Sequence, residues 1–423
     1  MTRLNRILAV ALFSASVLGS SVCAQNGVNS PYSRYGLGSL GEPSAGVNRA
    51  MGSTGIGLRE RNTINTLNPA AYSSVDTLTF LMDFGFSAQN GNFQENGVRL
   101  NARNTSLDYF ALQFRVARTV GCTFSMLPYS TVGYAFSNSK VIRNDEDGEV
   151  VTTNTFFGDG GLRQFTLGFG WRALKQLSAG VNLSYLYGDI SHQIDNTYSE
   201  SSMYSRQKIY TASMRAIKTD FGVQSTFNIK GDQMTIGAVF QPAMNLNADY
   251  QEISNTLNGS TLLVADTVVI DNAFRLPLGV GAGISYTHDR LTLAFDARYQ
   301  QWSDGLAFNK AGADCLRISG GMIFQPDRTN KNIFKRSIYR AGLSWQQPYF
   351  NVGNATAGPT EYGVSAGLSL PIINRWNGLS NVNIAGQYVH VRPAVSGLVT
   401  ENYLKLSVSI SFNEIWFQKI QVQ

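Results

Sequence analysis

Strict alternation of apolar and polar residues runs through most of this chain from Thr77 onward, and it constrains the fold more than any other feature. Residues 404–412 read LKLSVSISF, in which every second residue is apolar and the residues between are Lys or Ser. Segments 164–173, 177–187 and 291–299 repeat this pattern. Successive side chains of a β-strand point to opposite faces, so the pattern predicts strands with one apolar and one polar face. The sequence therefore predicts an all-β fold.

Turn residues divide this region into about fourteen candidate strands. The predicted strands are 77–89, 102–118, 120–143, 148–173, 176–196, 203–230, 232–251, 262–287, 290–303, 312–325, 336–349, 360–372, 380–393 and 401–416. Short turns at 117–121, 174–176, 231–233 and 288–290 alternate with longer polar connections at 90–101, 144–148, 196–203 and 252–261. Outer-membrane barrels have an even number of antiparallel strands, short turns at one end and longer loops at the other.

A secreted β-sandwich is the alternative to a membrane barrel. The candidate strands exceed the usual five or six residues, and only 15% of the residues are charged, against about 25% in ordinary globular chains. Aromatic residues gather near strand ends, where the membrane interfaces would lie: Tyr185, Tyr187, Tyr299, Trp302, Trp345, Tyr349, Phe350, Trp416 and Phe417. We therefore predict a transmembrane antiparallel β-barrel in the cell outer membrane, in contact with outer-membrane lipid and lipopolysaccharide.

The N-terminus has the pattern of an export signal. A basic start is followed by the apolar run ILAVALFSASVLG and a small-residue exit, which predicts a signal peptide over residues 1–24. The alternative is a lipoprotein signal with Cys23 as the acylated residue. The remaining Cys122 and Cys315 form neither a disulfide framework nor a zinc pattern. The formal charge of +6 is too small for 423 residues to indicate nucleic-acid binding.

Residues 25–76 fit no strand pattern and are rich in glycine. Before the first strand, such a segment has the barrel lumen as a place to fold, and glycine allows its backbone to approach the inner wall. Asn68-Pro69 predicts a turn, because proline fixes φ and keeps the preceding residue extended. We therefore predict three parts: a signal peptide (1–24), a periplasmic or luminal hatch (25–76) and the barrel (77–423).

The run RAMGSTGIGL at 49–58, followed by TLNPAAYSS at 66–74, resembles the hatch of the FadL-like outer-membrane transport family. The resemblance covers residues 45–75 by motif and the rest by architecture. It implies a fourteen-stranded barrel, a hatch shaped by Asn68, Pro69 and Ala70, and passive uptake of small hydrophobic compounds. SPYSRYGLG near the start and NEIWFQK near the end are similar to a branch of this family without an assigned substrate.

Pro128 lies in the middle of the third predicted strand. In FadL-like barrels this strand is kinked and opens the wall towards the lipid, so the resemblance implies a lateral opening at Pro128. The alternative is a simple bulge, since proline within a sheet is confined to bulges and edges.

Two functions remain open at this stage. The first is an uptake channel for a small hydrophobic ligand, and the second is a non-transporting accessory barrel in an envelope assembly or secretion complex. The predicted inner faces are polar, so the hydrophobic ligand rests on the resemblance; we interpret Leu262–Val264 as an ordinary strand start rather than a binding site. A wall gap in the third strand or an apolar cavity favours uptake, whereas a capped polar lumen and a fixed hatch favour the accessory role.

No catalytic residue, metal site or cofactor is predicted. His192, His288 and His390 belong to different strand ends, where histidine is more often an interfacial polar residue than a base. The acidic stretch 144–148 lacks the remaining ligands of a calcium loop. The sequence therefore predicts a protein that is not an enzyme.

Overall fold

The structure is a computed structural model, and it describes residues 29–415 except 78, 146–147, 201, 272–273, 304–311, 328–329, 353–357, 373–379 and 396. The predicted signal peptide, Cys23 and the aromatic residues Trp416 and Phe417 lie outside the described residues. Within the described part of the chain, no helix is long and apolar enough to cross a membrane.

The described residues form eighteen strands, three short 3-10 helices and one turn of α-helix. The strands are β1 (Ser39–Leu40), β2 (Thr79–Glu95), β3 (Val98–Ala117), β4 (Val120–Asp145), β5 (Gly148–Trp171), β6 (Leu177–Tyr198), β7 (Ser205–Ile229), β8 (Asp232–Gln241), β9 (Met244–Asn258), β10 (Thr261–Asp271), β11 (Phe274–Leu276), β12 (Leu278–His288), β13 (Leu291–Gln301), β14 (Cys315–Phe324), β15 (Ile338–Gln346), β16 (Thr360–Pro371), β17 (Asn381–Arg392) and β18 (Thr400–Ile415). The helices are η1 (Pro31–Arg34), η2 (Gly46–Met51), η3 (Pro69–Ser74) and α1 (Ile333–Arg336).

Seventeen of these strands, β2 to β18, make the barrel wall. β8 and β9 are two pieces of one wall strand, because β7 pairs with β8 through Phe221 and with β9 through Arg215. β10, β11 and β12 are likewise one strand, opposite β9 and β8. β18 closes the wall by pairing along β2. The result is a closed, fourteen-stranded antiparallel barrel, which confirms the predicted fold class and strand number.

The apolar faces read from the sequence point outward. Leu293 and Phe295 of β13 are about half exposed, as are Leu404 and Leu406 of β18. On β5, Trp171 is 55% exposed. A band of exposed apolar side chains around a closed barrel is the surface that contacts the acyl chains of a membrane.

Three of the predicted long loops are wrong. Residues 144–145 belong to β4 and residue 148 to β5. Residues 90–101 continue β2 and β3 and contain only the two-residue turn Asn96–Gly97, in which both φ angles are positive (47° and 84°). Such a turn matches the twist of the flanking strands, and Asn-Gly is its preferred sequence. Residues 252–261 likewise continue β9 to a turn at Gly259. The error arose because strands that extend beyond the membrane are polar on both faces and resemble loops in sequence.

Strand length differs sharply between two sides of the barrel. β4, β5 and β7 contain 26, 24 and 25 residues, whereas β13 to β17 contain 9 to 12. A tilted strand needs roughly 9–11 residues to cross a membrane. We call β4–β10 the tall wall and β13–β17 the low wall. Because β2 starts and β18 ends at one end of the barrel, with short turns following β3, β7 and β12, we assign that end to the periplasm and the extensions of the tall wall to the extracellular side.

The N-terminal segment, residues 29–77, lies within the ring of strands. Its helix η3 contacts β4–β7 on one side, and η2 contacts β14–β17 on the other. Towards the extracellular end, apolar side chains of the wall, of the loops and of the start of this segment form a buried group that we call the outer cluster. Its fully buried members include Leu37, Leu162, Leu186, Leu246, Leu276 and Trp302.

The aromatic girdle predicted from the sequence is wrong at three positions. Trp302, Tyr349 and Phe350 are 0%, 3% and 7% exposed, and they pack in the outer cluster instead of facing lipid. All three follow the last residue of a wall strand, so the chain has already turned over the lumen where they lie. Tyr185 and Tyr299 do face outward.

Candidate functional site

The turn Asn68-Pro69-Ala70 fastens the N-terminal segment to the tall wall. Asn68 is fully buried and caps η3 by accepting a hydrogen bond from the N–H of Ala70 (3.0 Å). Its Nδ2 donates to the carbonyls of Ile56 (2.9 Å) and Val223 (3.2 Å). Gly180 of β6 leaves room for this turn, since a Cβ there would lie 2.6 Å from the nitrogen of Ala70. The predicted hatch residues thus lie against the inner wall.

The glycine-rich run at 49–58 fastens the same segment to β13, β15 and β16. The N–H groups of Gly55 and Ile56 both donate to Asp296 Oδ2, at 2.6 and 2.8 Å. The N–H of Gly52 donates to Ser365 Oγ (2.8 Å). Gly342 of β15 allows close approach, because a Cβ there would lie 2.5 Å from Met51 Cα. Both walls therefore hold the segment through direct backbone contacts.

A buried charge network centres on Arg49. The Arg49 side chain is 2% exposed, forms an ion pair with Asp108, and lies 3.6 Å from Glu42 Oε2. Lys405 lies 3.6 Å from the same Asp108 carboxylate. The Arg49 guanidinium also stacks on the Tyr109 ring, 5.1 Å from its centroid. Burial alone would raise the pKa of Glu42, but Lys405 and Arg49 outweigh it and hold that pKa below its ordinary value.

A cavity of about 910 Å³ lies between the N-terminal segment and the wall. Charged residues of both signs line it, including Arg49, Arg317 and Lys405 with Glu42, Asp108 and Glu361. A hydrophobic compound gains little in such a cavity, because it would separate these charges from water and from one another. The cavity therefore has a mixed lining, in which apolar side chains alternate with charged groups of both signs.

The wall is split between β3 and β4. Their pairing runs from Ala117–Val120 to Phe110–Met126 and ends there, although both strands continue towards the extracellular end. Beyond this point β4 pairs on that side with β1 of the N-terminal segment, Ser39 opposite Thr131 and Leu40 opposite Ser130. The unpaired part of β3 remains an edge. The cavity reaches this split, since Leu107 and Phe110 are among the residues that line it.

Pro128 lies where β4 leaves β3. The register of β4 against β5 shifts between Pro128 and Ser130, so Tyr129 is an extra residue in β4. The N–H of Gly41 donates to the Tyr129 carbonyl (2.8 Å), which ties the N-terminal segment to this point. Pro128 therefore coincides with both a bulge and the end of the β3–β4 pairing.

The outer cluster closes the lumen towards the extracellular end. Tyr349 is its central polar link: its hydroxyl accepts from the N–H of Leu37 (3.1 Å) and contacts the Gly38 carbonyl. The ring of Phe350 stacks on Tyr35 at 5.2 Å, and Trp302 packs on Tyr349 at 4.9 Å. The N-terminal segment and the extracellular loops thus form one continuous packed layer.

The three histidines lie apart. His192 is buried beside the Tyr134 hydroxyl (2.7 Å), His288 contacts Asp232 (2.8 Å) near the periplasmic end, and His390 contacts Asn402 (2.8 Å). The structure brings none of them together, and Cys122 and Cys315 are free. Leu262–Val264, interpreted as a strand start, lie in β10.

The sequence analysis missed the buried charges of the lumen. Three of them occupy inward positions of wall strands: Asp108, Asp296 and Lys405. A single charged residue on the polar face of a strand was the sequence signal that could have identified them. Arg49 gave no such signal, because it lies in a segment without periodicity.

The chain matches one protein-family model, and its fold is similar to those of several solved outer-membrane barrels. The family model described as BamG matches residues 4–423. The monoaromatic hydrocarbon channel CymD superimposes with a TM-score of 0.56 at 13% identity, covering 90% of this chain and 99% of that one. A Pseudomonas aeruginosa FadL homologue gives 0.59 at 11% identity over 88% and 99%. The Ralstonia pickettii toluene transporter TbuX gives 0.57 at 13% identity over 89% and 98%.

These similarities show a FadL-type outer-membrane barrel, as the sequence predicted. CymD is a hydrocarbon channel and TbuX is a toluene transporter; at this identity the similarity extends to the fold. A search of curated proteins by sequence finds no match.

Proposed function

The chain belongs to the BamG family, and we propose that it is a non-transporting barrel that serves as a structural partner in an outer-membrane protein assembly. The observation that carries this proposal is the packing of the N-terminal segment inside the barrel. The N-terminal segment is fastened to both walls, and the outer cluster covers it towards the extracellular end.

Movement of the N-terminal segment would be costly. Withdrawing Arg49 removes the closest cation from the buried Asp108 carboxylate and leaves it with Lys405; breaking a buried ion pair typically costs about 3–5 kcal/mol. Displacement would also break the bonds of Asp296 to Gly55 and Ile56. These contacts lie on several sides of the segment, so a movement of the segment in any direction would break some of them. These costs support a segment that stays fixed, as a structural role requires.

Passive uptake of small hydrophobic compounds is the second candidate. Its support is the β3–β4 split, where the cavity reaches the wall beside Leu107 and Phe110. A compound leaving through the split would enter the membrane without passing the periplasmic end. The charged lining and the closed extracellular end count against this route.

Two measurements on one strain separate the candidates. The chain is first purified by an affinity tag from native membranes in mild detergent, and its size is determined. We expect a complex larger than one barrel; a chain recovered alone would overturn the structural role. Uptake of radiolabelled toluene is then compared in cells with and without the chain. We expect equal rates, and a rate that depends on the chain would establish the transport alternative.

A deletion of residues 30–70 serves as the control for insertion into the membrane. Removing the luminal segment should raise ion conductance in planar bilayers, because a fourteen-stranded wall without its filling leaves a water-filled lumen. The intact chain should show little conductance under the same conditions.

A further inference from the structure

The tall wall ends in a strand edge that the barrel does not use. β10 pairs with β9 from Thr261 opposite Asn258 to Asp271 opposite Asp249. Among the described residues, no other strand pairs with β10. Its second edge therefore carries backbone N–H and C=O groups, along eleven residues, that no described strand pairs. Such an edge is a template for another strand.

The side chains of β10 are unusually apolar for an exposed edge. Every residue from Thr261 to Ile270 is exposed. Six of them are large aliphatics, with exposures between 46% and 58%: Leu262, Leu263, Val264, Val268, Val269 and Ile270. Natural sheets protect such edges with lysine, proline, a bulge or a covering element. β10 has one register shift, between Leu262 and Val264, and its pairing is regular from Val264 to Asp271. Asp266 is the one charged residue among these ten.

Membrane lipid does not cover this strand. At the height of β10, the neighbouring strands carry polar contacts: Lys208 of β7 pairs with Glu252 of β9 (3.2 Å), and Asn255 donates to Gln207 (3.1 Å). Val268 lies directly opposite Glu252 in the β9–β10 ladder. Charged pairs of this kind are rare on a lipid-facing surface. The aliphatic side chains of β10 therefore face water in the isolated chain.

We propose that β10 is the docking edge for an extended segment of an extracellular partner protein, which adds beside it as a further strand. This inference rests on the proposed role in an assembly and names one of its interfaces. In strand addition, main-chain hydrogen bonds supply affinity and alternate side chains supply specificity. The partner segment is apolar, and a lysine or arginine near its centre meets Asp266.

Asp266 also argues against a second copy of this chain as the occupant. Two β10 strands paired antiparallel over Leu262–Ile270 in full overlap place Asp266 opposite Asp266, since it is the central residue. Like charges directly opposite each other destabilise a strand pair. A different protein with the opposite charge fits this edge better.

The test replaces Val264 and Val268 with lysine in the full-length chain and isolates it from native membranes. We expect the double variant Val264→Lys, Val268→Lys to be recovered at the size of the single barrel, because lysine blocks strand addition. Phe157→Lys is the matched control. Phe157 is 41% exposed in β5, an internal strand of the tall wall paired on both sides, so the complex should survive this substitution. Resistance to unfolding in SDS before heating verifies that both variants fold.

Amide hydrogen exchange tests the mode of contact. In the wild-type complex, alternate amides of Leu262–Ile270 should exchange at least about tenfold more slowly than in the isolated chain, as expected for new ladder hydrogen bonds. A complex that survives in the double variant, or β10 amides that exchange equally fast with and without the partner, would overturn strand addition while leaving the assembly role intact. A wild-type chain recovered alone would overturn both, and a complex of two copies would overturn the choice of partner.

Discussion

The tall wall and the low wall are built from the same kind of antiparallel strand but differ in length and in what their residues contact. The low wall, β13–β17, is no longer than a membrane crossing requires, and its inner face is occupied by contacts to the N-terminal segment, such as those of Asp296 and Gly342. The tall wall makes similar contacts near the periplasmic end through Gly180. It then continues beyond the membrane by more than ten residues, roughly 35 Å of strand.

This difference shows which part of the chain exceeds the needs of a plugged barrel. The segment inside the lumen and the membrane band account for the low wall completely. They do not account for the extracellular part of β4–β10. This part begins where β4 separates from β3, and it ends at the edge of β10 that no described strand pairs. The outer cluster lies at its base and supports it. The contrast therefore assigns outward contact to the extracellular part of the tall wall, whereas both walls hold the N-terminal segment and the tall wall also supplies much of the outer cluster.

The largest expected effect comes from removing the central charge of the lumen. Arg49→Met should destabilise the barrel by about 3–5 kcal/mol, because Asp108 and Glu42 lose their main buried partner. The temperature at which the folded band disappears in SDS gels measures this change. The double variant Arg49→Met, Asp108→Asn removes both charges and should recover part of the loss. Equal stability of Arg49→Met and wild type would contradict a segment held by buried charge.

Truncation in the outer cluster should have a comparable or slightly smaller effect. Trp302 is fully buried, and replacing a buried Trp by alanine typically costs about 3–5 kcal/mol, less where the surroundings can collapse. Trp302→Ala should also raise ion conductance, since it thins the layer that closes the lumen. Trp345, on the low wall and partly exposed, provides the control as Trp345→Ala. A loss of stability in the control as large as in Trp302→Ala would remove the distinction between the two sites.

The close approach of the segment to the low wall predicts a moderate effect. Gly342→Ala places a methyl group against Met51, and overpacking of this kind costs about 1–3 kcal/mol. Gly386→Ala is the matched control in β17, because a Cβ at that position has no neighbour within 4 Å. Thermal unfolding of the two variants should differ clearly. If both behave like wild type, Met51 does not press on the wall as described.

Sequence reasoning recovered the barrel better than its contents. Strand number and lipid-facing residues follow from alternation, which is a local property of each strand. The positions of Trp302 and Tyr349 depend on how loops fold over the lumen, so alternation carried no information about them. The same holds for Arg49, because its partner Asp108 is distant in sequence. Asn68-Pro69-Ala70 was recognisable because its turn is local, although whether the segment acts as a hatch remains a proposal.

The smallest expected effect is a difference in pH dependence between the N-terminal segment and the outer cluster. Burial and the Asp108 carboxylate raise the pKa of Glu42, but Lys405, Arg49 and Arg317 outweigh them and hold it below its ordinary value. A carboxyl group whose pKa is lower in the folded state stabilises the fold above its unfolded pKa, and this contribution disappears as the pH falls through the folded value. Acidification should therefore lower the protection of the Ser39–Met51 amides against exchange, relative to the intrinsic exchange rate at each pH, while Trp302 fluorescence in the outer cluster stays unchanged.

Glu42→Gln tests the assignment of this pH effect, because it removes the titrating group and keeps its shape. In this variant the Ser39–Met51 amides should already show the lower protection against exchange at neutral pH, and that protection should change little on acidification. A wild-type pH response preserved in Glu42→Gln would move the effect to another carboxylate of the lumen. A simultaneous change in Trp302 fluorescence would show that the N-terminal segment and the outer cluster loosen as one unit, and that the two regions are not independent.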